Sequence, residues 1–228
     1  MKRLSILIST ILLSTTLAQA RFYIGIEGGY SVEKSYEGNN AFNISKTYVI
    51  RDAFKEGARG YSLGINLGSE NFYAPYFGTR FGFGVGYTSV DQKADGSGLV
   101  DQKLSYIDTG IYFDLMTNLY SSSKFSFGVF GGVDMRYHYR LNKIQIQKEE
   151  GEIDYFFDDL FEDVFSDLVN GRHLVDFGGR VGISMLIASH HRIDLLARLP
   201  IASLKSGFIG GSTLPAKTSL NVGYSFVF

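Results

Sequence analysis

Residues 77–88, FGTRFGFGVGYT, set Phe77, Thr79, Phe81, Phe83, Val85 and Tyr87 at every second position, with Gly78, Arg80, Gly82, Gly84, Gly86 and Thr88 between them. Period two is the mark of an extended strand, in which successive side chains point to opposite faces. One face of this strand is bulky and apolar. The other is small, apart from one arginine.

The same alternation recurs outward in both directions, giving candidate strands at 22–30, 61–67, 77–88, 104–116, 125–138, 175–185, 192–201 and 217–228. Each has an apolar row, such as Phe22, Ile24 and Ile26 in the first or Ile107, Ile111, Phe113 and Leu115 in the fourth. A soluble sandwich also alternates, so alternation alone is not decisive. The volume of the apolar rows is. Eight strands enclose a lumen wide enough only for modest side chains, so Phe and Tyr from every strand cannot all turn inward. The arrangement that remains puts the aromatics against lipid and the small and charged residues inside.

The connections support this reading. They fall at about 31–60, 68–76, 91–103, 118–124, 141–172, 188–191 and 203–215, and long alternates with short throughout. Outer-membrane barrels sort their loops this way, with long loops outside, tight turns in the periplasm and an even strand count. The expected fold is therefore all-β: a transmembrane antiparallel up-and-down β-barrel of eight strands. An alternating run at Phe42–Ile50 leaves ten strands open, by adding a hairpin.

Residues 1–20, MKRLSILISTILLSTTLAQA, have the form of a secretory signal peptide: Lys2 and Arg3, an apolar run from Leu4 to Leu13, and a small-residue site ending at Ala20. The expected organisation is a leader at 1–20, cleaved after Ala20, and a barrel at 21–228 in the bacterial outer membrane. Without the two basic residues of the leader the chain has 20 Lys and Arg against 23 Asp and Glu, a formal charge of −3. That balance gives no nucleic-acid footprint. Cysteine is absent, so neither disulfides nor a thiolate metal site braces the fold. The 27 Gly, 19 Phe and 15 Tyr suit a narrow barrel with aromatic interfaces.

The chain ends SLNVGYSFVF, with Tyr224, Phe226 and the terminal Phe228 at alternate positions after Leu220 and Val222. This resembles the C-terminal assembly signal of bacterial outer-membrane barrels, which implies the barrel-assembly machinery and outer-membrane lipid as partners. The segment 191–228, with Arg198-Leu199-Pro200-Ile201 before the last strand, also resembles the outer-membrane protein family of Helicobacter and its relatives. Elsewhere the resemblance is to the architecture of small OmpA/OmpX-like barrels. Larger members of that family carry a big N-terminal surface domain that this chain lacks, so adhesin activity does not carry over from the resemblance.

The inferred inner face holds Arg80, Arg136, Arg180, Arg192, Arg198 and Lys217 together with Glu27, Asp108, Asp114, Asp134, Asp176 and Asp194. Matched numbers of opposite charges suggest a mutually neutralising ladder, because isolated charges there are costly to desolvate. A selective pore usually shows an excess of one sign. The four histidines invite a comparison with hydrolases. Asp134 lies four residues before His138 on the same face, and Asp176 three after His173 on the opposite face, but no Gly-x-Ser-x-Gly elbow accompanies them. The residues point to no catalytic group, cofactor or metal site.

At 154–170, DYFFDDLFEDVFSDLVN, the period changes to about 3.6. Phe157, Leu160, Phe161, Val164 and Leu168 form one stripe, and Asp158, Asp159, Glu162, Asp163 and Asp167 the other face. The pattern predicts a short amphipathic helix in the longest extracellular loop, serving as a lid or as an interaction surface for an unidentified surface or host ligand. The expected function is a sealed surface scaffold whose loops mediate interaction or envelope integrity. A narrow porin-like channel is the alternative, and an outer-membrane hydrolase stands below both.

Overall fold

The structure, a computed structural model, describes residues 20–36, 42–44, 57–93, 101–142, 173–205 and 214–228. The expected leader and the expected helix at 154–170, with Phe157, Leu160, Phe161, Val164 and Leu168, lie outside the described residues.

Among the described residues there are nine strands: β1 (Arg21–Tyr36), β2 (Phe42–Ile44), β3 (Ala58–Ala74), β4 (Phe77–Gln92), β5 (Gln102–Ser121), β6 (Phe125–Arg140), β7 (His173–Ile187), β8 (His191–Lys205) and β9 (Leu214–Val227). All but β2 pair antiparallel with their neighbours in chain order, and β9 pairs with both β8 and β1, so eight strands close the barrel. Among the described residues there is no helix. The run at Phe42–Ile50 does not widen the barrel to ten strands: of it, only Phe42–Ile44 is a described strand, and it pairs with Ala202–Leu204 of β8.

The facing follows the sequence period. Phe81 and Phe83 are exposed on the outer surface, as are Ile24, Ile65, Ile111, Met135, Val181 and Val222 on other strands. The strands run longer than their apolar rows, from 14 to 20 residues among the eight of the barrel. About 9–11 residues suffice for a tilted strand to cross the hydrocarbon, so the rest of each strand stands beyond it. Strand β3 accordingly continues through Glu70 to Ala74, where the sequence pattern had suggested a turn from Gly68 onward.

The two rims differ. Turns Pro75–Tyr76, Ser122–Lys124 and Ala188–His190 lie at the end that also holds Arg21 and Phe228. Ala188 (φ 51°) and Ser189 (φ 63°) both take the left-handed conformation, and His190 N–H donates to Ile187 O at 3.2 Å. Such a primed turn matches the twist of the strands that it joins.

The wall has one irregular seam. Pairing of β8 with β9 runs from His191↔Phe226 to Arg198↔Ser219 and stops there. Beyond that point β8 stays paired with β7 as far as Leu174↔Lys205, and β9 stays paired with β1 as far as Tyr36↔Leu214. Strand β2 takes the edge of β8 that β9 has left. Pro200 lies just past the last pair, at a register shift against β7 between Phe177 and Gly178. A residue with no N–H is tolerated in a sheet at such an interruption.

Candidate functional site

The interior of the barrel is the site where the sequence concentrates its charge. Inward positions on β1 and β3 to β9 supply the charged groups, and glycines beside them leave the room. A Cβ built on Gly178 would lie 2.7 Å from the guanidinium carbon of Arg198, so the glycine is what lets that side chain cross the lumen.

Near the turn-side rim, Glu70 receives Arg21 at 2.5 Å and Arg192 at 3.0 Å, and Arg192 also donates to Ser184 at 2.6 Å. Above this, Met116, Phe130 and Leu196 form an apolar cluster with Phe72 against it. Arg80 stacks over Phe130 at 4.5 Å and bridges Asp114 at 2.8 Å and Asp194 at 2.5 Å. Arg180 shares Asp114 at 3.0 Å and lies over Tyr112 at 3.9 Å, while Tyr112 and Tyr23 join hydroxyls at 2.6 Å.

The middle layer centres on Arg198. Its Nε donates to Asp134 at 2.7 Å, its Nη2 to Asp134 and Asp176 at 2.8 Å each, and its Nη1 to Asp176 at 3.0 Å and to the Lys217 carbonyl at 2.9 Å. These contacts occupy every N–H that a guanidinium has. Arg136 bridges Asp134 at 3.0 Å and Glu27 at 3.9 Å, and Glu27 also receives the Asn221 and Asn66 amides.

Toward the opposite rim, His138 lies between Asp108 at 2.5 Å and Asp176 at 3.0 Å. Lys217 approaches Asp108 and His138 at 3.3 Å each and sits over Tyr106 at 3.5 Å. Thr88 donates to Asp108, and Tyr106 to Glu33 at 2.7 Å. Above these groups Ala58, Val90, Leu104, Tyr106 and Leu174 form a buried apolar cluster.

The charged residues singled out in the sequence thus meet in two linked groups, Arg80, Arg180, Asp114 and Asp194 in one and Glu27, Asp108, Asp134, Arg136, Asp176, Arg198 and Lys217 in the other, while Arg192 pairs with Glu70. Arg180 connects the two groups, at 4.0 Å from Asp134. Sequence reasoning left out Glu70 and Glu33, which complete the ladder at its two ends. Both lie on rows already recognised, two or more residues past the expected strand ends. His138 does not pair with Asp134, its neighbour in sequence, because Arg136 and Arg198 hold that carboxylate. His173 stands on the outside between Tyr137 and Tyr139, with its Nδ1 2.5 Å from the Tyr137 hydroxyl. Among the described residues no group of three His, Cys, Asp or Glu is placed to hold a metal ion.

The cavities lined by described residues inside the barrel are small. A cavity of about 50 Å³ lies beside Glu27, Asn66 and Arg136 against Gly64, Gly84, Gly86 and Gly110, and one of about 10 Å³ beside Arg80 and Asp194. A larger one, about 290 Å³, opens at the turn-side rim among Arg21, Phe72, Lys124, Leu186 and Ser121–Ser123.

The terminal strand, whose sequence resembles an assembly signal, is fixed at the same rim. Val227 N–H donates to His190 O at 2.7 Å and Phe228 N–H to Phe22 O at 2.8 Å. Phe226 stacks on His190 and meets Phe228 edge-on, while Tyr224 stacks on His191. All three aromatics project outward.

The family model described as Helicobacter outer membrane protein matches residues 64–228, which span β4 to β9 and most of β3. The chain belongs to the Helicobacter outer membrane protein family. No curated protein matches the sequence. Among solved structures, this Helicobacter-family barrel is similar to Neisserial surface protein A, at 11% identity and TM-score 0.45 over 91% of this chain and 97% of that one. It is also similar to Ail of Yersinia pestis, in a structure with the heparin analogue sucrose octasulfate, at 10% identity and TM-score 0.36 over 90% and 99%. The N-terminal barrel domain of Pseudomonas aeruginosa OprF gives 8% identity and TM-score 0.34 over 92% and 100%. The strand register itself establishes the eight-stranded closure of this family member.

Proposed function

We propose that this small outer-membrane β-barrel protein is a sealed scaffold whose extracellular loops mediate surface interaction or envelope integrity. The observation that carries the reading is the Arg198 node, where one buried guanidinium ties β8 to β6, β7 and β9 across the lumen. A solute path would have to pass that node and the apolar cluster around Tyr106 and Leu174. Opening the node means breaking buried ion pairs, and removing one partner of such a pair costs about 3–5 kcal/mol.

In this reading the leader is cleaved after Ala20, and the assembly machinery receives the strand ending in Tyr224, Phe226 and Phe228. Lipid then surrounds the outward rows. The stretch of sequence carrying Phe157, Leu160, Phe161, Val164 and Leu168 is the one best suited to meet a partner, because each apolar side chain of that size forgoes about 1.5–3 kcal/mol when it is left in water. Vesicles carrying the refolded protein should release a trapped small sugar no faster than protein-free vesicles. Faster release would replace the scaffold with a porin-like channel.

A further inference from the structure

Three charged residues lie side by side on the outside of the barrel at its loop-side rim. Arg59 of β3 is opposite Asp91 of β4, and Asp91 is opposite Lys103 of β5. Their chain neighbours Ala58, Val90 and Leu104 are buried in the lumen, whereas Arg59, Asp91 and Lys103 are exposed on the outer surface. Adjacent strands are about 4.8 Å apart, so the two cations start roughly 10 Å from each other, with one carboxylate between them. The row keeps an excess positive charge.

What lies below the row indicates its surroundings. The next outward row on these strands is Tyr61, Ser89 and Ser105, and the one after it Leu63, Tyr87 and Ile107. The Tyr61 and Tyr87 rings are 6.4 Å apart, Lys103 Nζ lies 5.8 Å from the Tyr61 ring centre, and the Tyr87 hydroxyl donates to Ser105 Oγ at 2.9 Å. Beyond them come Ile65, Val85 and Thr109, and then the wholly apolar row Leu67, Phe83 and Ile111. Charge, then hydroxyl and tyrosine, then hydrocarbon is the order in which a lipid leaflet presents its phosphate, its polar boundary and its acyl chains.

The feature is local. Among the described residues at comparable height, the outward rows carry Tyr139 on β6, Leu141 just after it and, both of them buried, Val32 on β1 and Thr218 on β9, all uncharged. A general attraction to membrane would not need two cations gathered on one stretch of the rim.

We propose that the outer rim of β3–β5 is a binding site for the phosphate of an outer-leaflet phosphorylated glycolipid, with Arg59 and Lys103 as its cations and Tyr61 and Tyr87 against the top of its acyl region. Arg59 suits the role because a guanidinium presents a planar fork to phosphate oxygens, and Lys103 adds a compact charge. The proposal rests on the outer-membrane assignment and on the long loops facing outward.

The test refolds the full barrel into phosphatidylcholine vesicles with and without purified lipopolysaccharide, and follows the temperature at which the folded, fast-migrating form is lost on unheated gels. The expected result is a rise of several degrees with phosphorylated lipopolysaccharide. Arg59→Gln combined with Lys103→Gln should lose most of that rise, counted from the variant's own midpoint in phosphatidylcholine alone, while Lys124→Gln at the opposite rim keeps the rise. An undiminished rise in the double variant would overturn the proposal, as would an equal rise with dephosphorylated lipopolysaccharide. A rise with inorganic phosphate alone would replace the lipid by a free anion. Failure of the unaltered chain to insert into any vesicle would instead contradict the barrel assignment.

Discussion

Arg198 on β8 donates to the main-chain carbonyl of Lys217 on β9 at 2.9 Å, just beyond the last paired residues of the two strands, Arg198 and Ser219. A side chain thus continues the wall where the backbone ladder ends. The same guanidinium pairs with both Asp134 and Asp176, so closure of the seam and part of the charge balance of the middle layer depend on one residue.

Arg198→Ala should therefore destabilise the folded barrel by about 3–5 kcal/mol, because it leaves two buried carboxylates without their main partner. Arg198→Lys should recover little, since an ammonium cannot reproduce the planar fork. Urea titration of the refolded protein in detergent, read by gel mobility, measures both. A midpoint unchanged in either variant would contradict the staple role.

Phe228 is exposed on the outside, and its ring packs edge-on against Phe226 at 5.2 Å. It makes no contacts in the lumen, so little of the stability of the finished barrel should depend on it, and its expected role is in assembly. Deleting Phe228 should lower the amount of folded protein in cell outer membranes several-fold, while the purified, refolded variant keeps nearly the urea midpoint of the full chain. Equal yields in cells would remove the assembly role of the terminal aromatic.

Ile111 faces outward in a row with Phe83 and Met135, midway between the rims. Ile111→Arg should cost about 2–4 kcal/mol in a bilayer, the penalty for arginine on the lipid face near the midplane. Folding titrations in phospholipid vesicles provide the figure. A negligible cost would mean that Ile111 is not in contact with hydrocarbon, and that the facing of β5 is reversed.

How far the sequence carried these conclusions depends on the kind of signal. The facing of Phe81, Phe83 and Arg80 was legible because a one-residue slip in register would exchange every side chain between lipid and lumen. Glu33 and Glu70 were missed because strand ends were placed where apolar residues stop. The inner row goes on past the hydrocarbon, and its glycines and serines give no warning. Phe130 was hidden by its type: a large ring reads as lipid-facing, yet it fills the lumen under Arg80. The seam at β8 and β9 had only Pro200 as a hint. Which acid meets which base, as with His138 turning to Asp108 and Asp176 rather than Asp134, depends on pairing between strands far apart in sequence.

The central claim is that the lumen is closed, and conductance of the refolded protein in a planar lipid bilayer tests it most directly. The account predicts a baseline without stable conductance steps, because the Arg198, Asp134 and Asp176 contacts fill the middle of the barrel. Reproducible steps whose ion selectivity changes in Arg136→Gln or Asp134→Asn would contradict it, since those residues would then line an open path.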